Sequence, residues 1–167
     1  MQQGFWAILA SEFSNLPDAA TIAVITVRLV LAALIGGVLG YERERKARSA
    51  GVRTHMLVAV GAALFVLGPL QSGMPIEDMS RVLQGVVQGI GFLGAGAIIV
   101  RSAQHQVEGL TTAASIWVTA GIGVIVGLGL EATAILSAVI VLIILAVVPY
   151  IVPQVTSSDC DQNDRGT

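Results

Sequence analysis

Residues 22–39 read IAVITVRLVLAALIGGVL, a stretch whose only polar side chains are Thr26 and Arg28. A helix of this length nearly crosses the roughly 30 Å hydrocarbon core of a bilayer. Further apolar stretches follow at residues 56–70, 82–100, 111–130 and 132–152. Because a backbone in hydrocarbon must satisfy its own hydrogen bonds, the sequence predicts an all-α, polytopic transmembrane helical bundle of about five spans.

The composition agrees with one membrane domain. Charged residues make up 12% of the chain, whereas a soluble domain carries about 25%. The bundle is predicted at residues 21–152. Residues 1–20 are predicted to be an extracytoplasmic segment, either an interfacial helix or a disordered lead-in. Residues 153–167 are predicted to be a disordered cytoplasmic tail. The single cysteine, Cys160, excludes a disulfide framework, and nothing in the composition favours nucleic acid as a partner.

The distribution of basic residues predicts the orientation of the bundle. Five basic residues lie between the first two spans, at positions 43, 45, 46, 48 and 53. The opposite side carries Arg81 beside acidic residues at positions 12, 18, 77, 78 and 131. The positive-inside rule therefore places the N-terminus outside and the C-terminus in the cytoplasm.

Glycines spaced four residues apart predict close contacts between helices, since small residues let membrane helices approach. The third span is the richest in them, so we expect it at the centre of the bundle. The fifth span, nearly all aliphatic, is expected at the periphery, facing lipid. The candidate packing residues are Gly36, Gly40, Gly85, Gly89, Gly91, Gly94, Gly96, Gly123 and Gly127.

The glycine run of the third span has two other interpretations. Gly89, Gly91 and Gly94 fit the pattern G-x-G-x-x-G, but that pattern binds dinucleotides only between a strand and a helix, so we discount it. The second interpretation is that the helix breaks at the glycines and exposes backbone dipoles to an ion or substrate. We keep this interpretation as an alternative to close packing.

Polar residues inside the spans are candidates for a functional site. Arg28 lies in the outer half of the first span, at a depth similar to that of Gln84 and Gln88. These three residues are the predicted intramembrane polar cluster. The alternative is that Arg28 snorkels to the headgroups, or is neutralised by Asp18 or by a carbonyl group.

Hydroxyl groups form a stripe on the fourth span, at Thr112, Ser115 and Thr119. We interpret the stripe as a packing face, with a polar path as the alternative. No Asp or Glu lies in the middle of any span. Mg²⁺ favours carboxylate oxygens with retained waters, so this pattern weighs against a self-sufficient Mg²⁺ channel.

A cytoplasmic rim is predicted where the polar ends of the first, second and fourth spans meet. Glu42 and Arg53 are the candidate ion pair of this rim. The alternative for the basic loop is contact with anionic lipid, which suits Arg45, Lys46 and Arg48. The candidate rim residues are Glu42, Arg43, Arg53, Thr54, Glu108, Thr111 and Thr112.

Four segments resemble the MgtC/SapB family of bacterial inner-membrane proteins. They are residues 40–44 (GYERE), 50–55 (AGVRTH), 89–97 (GIGFLGAGA) and 107–117 (VEGLTTAASIW). Many members carry a cytoplasmic C-terminal domain after the bundle. We expect this chain to be without that domain, because only a short tail follows residue 152.

The resemblance implies a multi-pass protein of the bacterial inner membrane that is associated with growth under Mg²⁺ limitation. Members are often labelled as Mg²⁺ transport proteins. Another view is that they bind and restrain membrane machines such as ATP synthase. The leading hypothesis is therefore a protein of Mg²⁺ transport or ion homeostasis, and the alternative is a regulatory protein that transports nothing.

Under the leading hypothesis, Glu42 and Glu108 are cation ligands or partners of Arg43 and Arg53, and the rim threonines supply oxygens. We expect no enzymatic activity and no cofactor, with Mg²⁺ only as a transported or sensed ion. The candidate partners are the lipid bilayer, a second copy of the chain, and another membrane complex.

Overall fold

The computed structural model describes residues 4, 6–8, 18–101 and 106–151. Five long helices account for most of them: α1 (Ala19–Arg45), α2 (Val52–Gln71), α3 (Met79–Gly96), α4 (Leu110–Gly127) and α5 (Glu131–Ile151). A 3₁₀ turn, Ile76–Asp78, precedes α3, and two short strands, β1 (Ile99–Arg101) and β2 (Gln106–Glu108), follow it. The predicted all-α helical bundle is confirmed.

The first helix begins at a capping residue. The Asp18 carboxylate accepts a hydrogen bond from the backbone N–H of Thr21 at 3.2 Å, which satisfies one of the free donors at the helix N-terminus. Hydrogen bonding from Thr21 lowers the pKa of Asp18 below its usual range. Most of the predicted segments 1–20 and 153–167 lies outside the described residues.

The packed core is formed by α1, α2 and α4. Leu39, Ala59, Ala63, Ile122 and Val126 are buried where these three helices meet. The last helix, α5, packs on α1 and α4 and leaves most of its large aliphatic side chains exposed. This arrangement is the one predicted for the fifth span.

Four glycines allow the close approach of the core helices. A Cβ atom added at Gly36 would lie 2.5 Å from the carbonyl oxygen of His55, and one at Gly40 would lie 2.6 Å from the Cα of Val52. Gly123 and Gly127 meet the α2 backbone in the same way, at Ala59 and Ala63. These distances agree with the packing role predicted for the four glycines.

The third helix lies at the edge of the bundle, so the prediction that it is central is wrong. Only Met79 and Gly94 of α3 are buried, and Gly94 contacts Ala113 of α4. A Cβ atom would meet nothing within 4 Å at the other four α3 glycines, which are Gly85, Gly89, Gly91 and Gly96. The reason is that α3 has one apolar face, which packs on α4, while its other face carries charge and amides.

Two local features of α3 also differ from expectation. The helix is continuous over Met79–Gly96, so its glycines do not break it. It ends at Gly96 rather than at residue 100, because the chain then enters an antiparallel strand pair in which Val100 is opposite Val107. Gly109 closes this connection at φ 92°, where an added Cβ atom would clash with the carbonyl group of Ala97. A side chain at Gly109 would have no room.

Four helices within the described ranges are long and apolar enough to cross a membrane: α1, α2, α4 and α5. The third helix, α3, is as long as α4, at 18 residues. It does not join this group because Arg81, Gln84 and Gln88 make it less apolar. The orientation of the bundle across the membrane stays a prediction.

Candidate functional site

Three helix ends meet at one end of the bundle, which we call the basic end. The end of α1 contacts the start of α2 through Gly40 and Val52. The start of α4 joins them because the Ser115 hydroxyl lies 3.2 Å from Nε2 of His55. The structure therefore places the polar termini of α1, α2 and α4 together.

Glu42, Arg43 and Lys46 form a polar cluster between α1 and α5, which we call the α1–α5 cluster. One carboxylate oxygen of Glu42 accepts a hydrogen bond from Nε of Arg43, and the other lies 2.7 Å from Nζ of Lys46. Arg43 is only 2% exposed. Both cations also donate to the carbonyl oxygen of Leu145, at 3.4 Å from Arg43 and 2.7 Å from Lys46. The cluster thus holds two cations around one carboxylate.

Pro149 explains why the Leu145 carbonyl oxygen is free to accept these bonds. In an α-helix the N–H of residue 149 would donate to the carbonyl of residue 145, and proline has no N–H. Pro149 lies inside α5, so the carbonyl of Leu145 lacks its helical donor. Arg43 and Lys46 supply the missing hydrogen bonds from α1, which ties α5 to the basic end.

His55 occupies a second buried polar position, between α2 and α4. Its side chain is fully buried, with Nδ1 2.9 Å from the carbonyl oxygen of Gly51 and Nε2 near the Ser115 hydroxyl. If Nδ1 carries the proton and donates to Gly51, then Nε2 is an acceptor. The ring therefore links the first turn of α2 to α4, inside the packed face.

The hydroxyl stripe of α4 lies on the same face. Thr112, Ser115 and Thr119 are all buried. The Ser115 hydroxyl lies 2.8 Å from the carbonyl oxygen of Thr112, which competes with Nε2 of His55 for its single proton, and the Thr119 hydroxyl donates to the carbonyl oxygen of Ser115 at 2.7 Å. These bonds within α4 and the burial of the stripe agree with a packing face.

Other predicted rim residues are exposed. The predicted ion pair between Glu42 and Arg53 is wrong, because Glu42 lies toward α5 and pairs with Arg43 and Lys46 instead. Arg53 is exposed. Thr54, Glu108 and Thr111 are exposed as well. Of the predicted rim, Glu42 and Arg43 lie together in the α1–α5 cluster, and Thr112 lies in the buried hydroxyl stripe of α4.

The predicted contact of Arg28 with Gln84 and Gln88 is also wrong. Arg28 donates from a terminal guanidinium nitrogen to the carbonyl oxygen of Gly127 at 3.2 Å, and its Nε lies 3.4 Å from a carboxylate oxygen of Glu131. Both glutamines are exposed on α3. The alternative in which a carbonyl group neutralises Arg28 is therefore correct, with Glu131 as an additional partner.

A helix terminus creates the acceptor for Arg28. The end of α4 is a Schellman motif: the N–H of Leu130 bonds to the carbonyl oxygen of Ile125, and that of Gly129 to Val126. Gly129 has φ 81° and lies against the guanidinium of Arg28. The Gly127 carbonyl at this terminus has no helical donor, and Arg28 supplies one.

We predict that Arg28→Leu lowers the free energy of unfolding by about 1–2 kcal/mol, at the low end of the range of roughly 1.5–3 kcal/mol for a hydrogen bond to a charged group. The loss is moderate because the Arg28 side chain is 24% exposed and its ion pair is partly solvated. Thermal unfolding of the purified protein in detergent measures the change. Arg48→Leu, at an exposed position of the basic loop, is the matched control. Equal stability of both variants and the wild type would show that Arg28 only snorkels.

Several important residues were absent from the predicted site. His55, Lys46, Glu44 and Glu131 each form a polar contact; Glu44, for example, accepts from the first N–H of α2, at Val52, at 2.9 Å. One signal was present in the sequence, since a proline within a helix marks a free carbonyl four residues earlier. Across the described ranges, no three His, Cys, Asp or Glu side chains are grouped to hold a metal ion.

The fold and these buried polar contacts define a helical membrane protein. The chain belongs to the MgtC family, whose pattern it matches over residues 29–153. No solved structure matches the chain.

Similar proteins come from several bacteria. The chain is 50% identical over 114 residues to protein SrpB of Synechococcus elongatus, covering 62% of this chain and 63% of SrpB. It is 41% identical over 128 residues to the putative magnesium transporter YhiD of Escherichia coli K12, covering 72% of this chain and 59% of YhiD. It is 44% identical over 114 residues to protein MgtC of Salmonella typhimurium, covering 68% of this chain and 48% of that protein. The chain thus spans about half to two thirds of these relatives.

Proposed function

We propose that the protein is a non-catalytic, multi-pass protein of the bacterial inner membrane that acts in Mg²⁺ homeostasis by binding another membrane complex. Membership of the MgtC family and the similarity to a putative magnesium transporter support the role in Mg²⁺ homeostasis. The closed core of the bundle supports regulation by binding over conduction through a single chain.

The observation that carries this proposal is the contact between α2 and α4. Gly123 brings the α4 backbone so close to α2 that a Cβ atom would lie 2.9 Å from the Cα of Ala59. The hydroxyls of the Thr112–Ser115–Thr119 stripe are buried in the same interface, and those of Ser115 and Thr119 bond within α4. A polar path along this stripe would require the two helices to separate.

The carboxylates that already pair with basic side chains give additional support. Mg²⁺ is usually held by carboxylate oxygens together with retained waters. Glu42 is bound by Arg43 and Lys46, and Glu131 lies beside Arg28. Before either carboxylate bound Mg²⁺, its cation would have to leave. A cation at the basic end would also be repelled by the excess positive charge of the α1–α5 cluster.

The second candidate function is Mg²⁺ transport. The name of the Escherichia coli relative favours it, as do the exposed oxygen-bearing side chains at the basic end, which are Thr54, Glu108 and Thr111. In that case Glu108 and the two threonines would form the entrance for the ion.

Two measurements on the full chain separate these functions. The first is Mg²⁺ flux into liposomes that contain the purified protein and an internal Mg²⁺ dye. We expect the flux to equal that of empty liposomes at every gradient tested. The second is growth in low Mg²⁺ of a strain that lacks the gene, with and without the restored gene. We expect growth to depend on the gene.

The outcomes are distinct. A gradient-driven flux that disappears in Glu42→Gln or Glu108→Gln, but persists in Glu77→Gln at the opposite end, would replace our proposal by transport. Growth in low Mg²⁺ that is the same with and without the gene would contradict a role in Mg²⁺ homeostasis altogether. A third measurement tests binding itself: we expect one membrane complex to be recovered with the wild-type protein from Mg²⁺-limited cells, in constant proportion.

A further inference from the structure

The third helix exposes polar side chains beside a helix that is long and apolar enough to cross a membrane. Arg81, Gln84 and Gln88 are exposed on the side of α3 turned away from α4, and we call them the polar face of α3. On the other side, α3 packs against the middle of α4 through Val86 and Ile90. Because α4 is long and apolar enough to cross a bilayer, a membrane-spanning α4 would hold Gln88 at the level of the hydrocarbon core.

The two amides of this face have no partner within the chain. Across residues 18–101 and 106–151, neither Gln84 nor Gln88 makes a side-chain hydrogen bond. An amide in hydrocarbon is unfavourable unless its hydrogen bonds are satisfied. Polar side chains in membrane helices almost always face other protein or a water-filled cavity. The polar face of α3 therefore requires a neighbour.

We propose that this neighbour is the polar face of α3 in a second copy of the chain, related by a two-fold axis parallel to α3. A two-fold interface brings the same surface of both copies together, so the surface must complement itself. Glutamine amides do so, because each amide both donates and accepts. Gln88 of each copy donates to the other, and Gln84 pairs in the same way. This inference does not depend on the proposed function.

The charges at the start of α3 are complementary across the same axis. Glu77 and Asp78 are exposed in the 3₁₀ turn, and Arg81 is exposed one turn later. Within the described part of one chain, none of the three forms an ion pair. Four residues of helix rise about 6 Å, a distance that an arginine side chain covers. Arg81 of each copy therefore reaches the acidic pair of the other copy.

The shape of the surface permits a close approach. Gly85 and Gly89 flank the polar face and leave open space where a side chain would be. Beside them a groove of about 550 Å³ runs between α2 and α3, lined by apolar residues such as Leu57 and Phe65. Phe92 is 82% exposed on α3, and in a dimer it provides an apolar contact next to the amide pairs.

Disulfide crosslinking in native membranes tests this interface directly. The single cysteine is first removed by Cys160→Ser, and Gln88→Cys is then introduced. A disulfide needs Cα atoms within about 7 Å, so mild oxidation should produce a covalent homodimer. Ile140→Cys, on the exposed side of α5, is the matched control at a similar depth and should stay monomeric.

Reversing the charges at the start of α3 distinguishes self-association from crosslinking by chance. Arg81→Glu should weaken the dimer severalfold, and so should the double variant Glu77→Arg with Asp78→Arg, because each replaces exposed ion pairs by like-charge contacts. Two differently tagged copies, one carrying each change, should recover association when they are expressed together. The variant Gln84→Leu with Gln88→Leu should weaken association while the monomer keeps its thermal stability, because neither amide bonds within the chain.

Three results would overturn the proposal. The first is equal crosslinking at Gln88→Cys and Ile140→Cys. The second is a Gln88→Cys adduct that contains only a different protein, which would show that the polar face of α3 serves a heterologous partner. The third is a dimer that survives Gln84→Leu with Gln88→Leu unchanged. Mg²⁺ flux and growth in low Mg²⁺ do not enter these readouts, so failure here leaves the proposed function standing.

Discussion

Replacing Arg43 by glutamine should lower the free energy of unfolding by about 3 kcal/mol, because removing one partner of a buried ion pair leaves the other partner uncompensated. Arg43 is 2% exposed and donates to the carboxylate of Glu42. Glutamine retains much of the side-chain length but carries no charge. Lys46 still faces Glu42 in the variant, so the expected loss is at the lower end of the range for buried pairs.

The loss should extend to the packing of α5. Arg43 and Lys46 together provide the hydrogen bonds that the Leu145 carbonyl lacks because of Pro149. With Arg43 replaced, only Lys46 connects α1 to this carbonyl. We therefore expect the end of α5 to become more accessible to proteolysis or hydrogen exchange before the remainder of the bundle does.

Arg45→Gln is the matched control for Arg43→Gln. Arg45 is two residues away on the same helix, but it is exposed and lies over the ring of Tyr41 at 5.9 Å. Its replacement should change the free energy of unfolding by less than about 1 kcal/mol. Thermal unfolding in detergent and limited proteolysis of both variants measure the difference. Equal effects of the two substitutions would mean that the α1–α5 cluster does not hold the helices together.

The positions of the five helices could be predicted from the sequence alone. Each predicted apolar stretch overlaps one helix of the structure, because length and apolar character are local properties of the chain. The packing roles of Gly36 and Gly123 also followed from local spacing. The end of α3 could not be predicted in the same way, since the strand pair that replaces its last turn depends on residues 106–108.

The location of α3 could not be derived from its glycines. A glycine shows that a close approach is sterically permitted, but it does not show that a neighbour is present. A Cβ atom added at Gly123 would clash with the backbone of Ala59, whereas one added at Gly89 would meet nothing within 4 Å. Both glycines nevertheless belong to pairs of small residues spaced four apart. The informative pattern was the polar face of α3, which leaves the helix a single apolar face for packing within one chain.

Partners of charged residues were the least predictable feature. Arg28 was assigned to amides at a similar depth, but depth alone does not specify which helices are adjacent. The structure places α4 and α5 beside α1 at that level, so that Gly127 and Glu131 reach Arg28 first. The same reason applies to Glu42, whose pairing with Lys46 is the local i, i+4 contact of a helix. The pairing of Glu42 with Lys46 could have been predicted from their four-residue spacing, and it replaces the predicted pairing with Arg53.

Replacing Gly123 by alanine should lower the free energy of unfolding by about 2–3 kcal/mol, the upper part of the range for overpacking a filled core. The added Cβ atom would meet the Ala59 backbone, with its Cα only 2.9 Å away. A backbone cannot rotate aside as a flexible side chain can, so α2 and α4 must separate. Their separation would also stretch the contact between His55 and Ser115, which is 3.2 Å long.

Gly121→Ala provides the control two residues earlier on the same helix. Gly121 is exposed, and a Cβ atom there would meet nothing within 4 Å. Alanine at this position should leave stability unchanged or raise it by up to about 1 kcal/mol, since alanine favours helices over glycine. Because both variants receive the same methyl group, the difference between their unfolding temperatures isolates the contact of α4 with α2. If the two variants are equally stable, the helices are not in backbone contact. The hydroxyl stripe of α4 could then line an open path, and transport through the bundle would become the better explanation of its role.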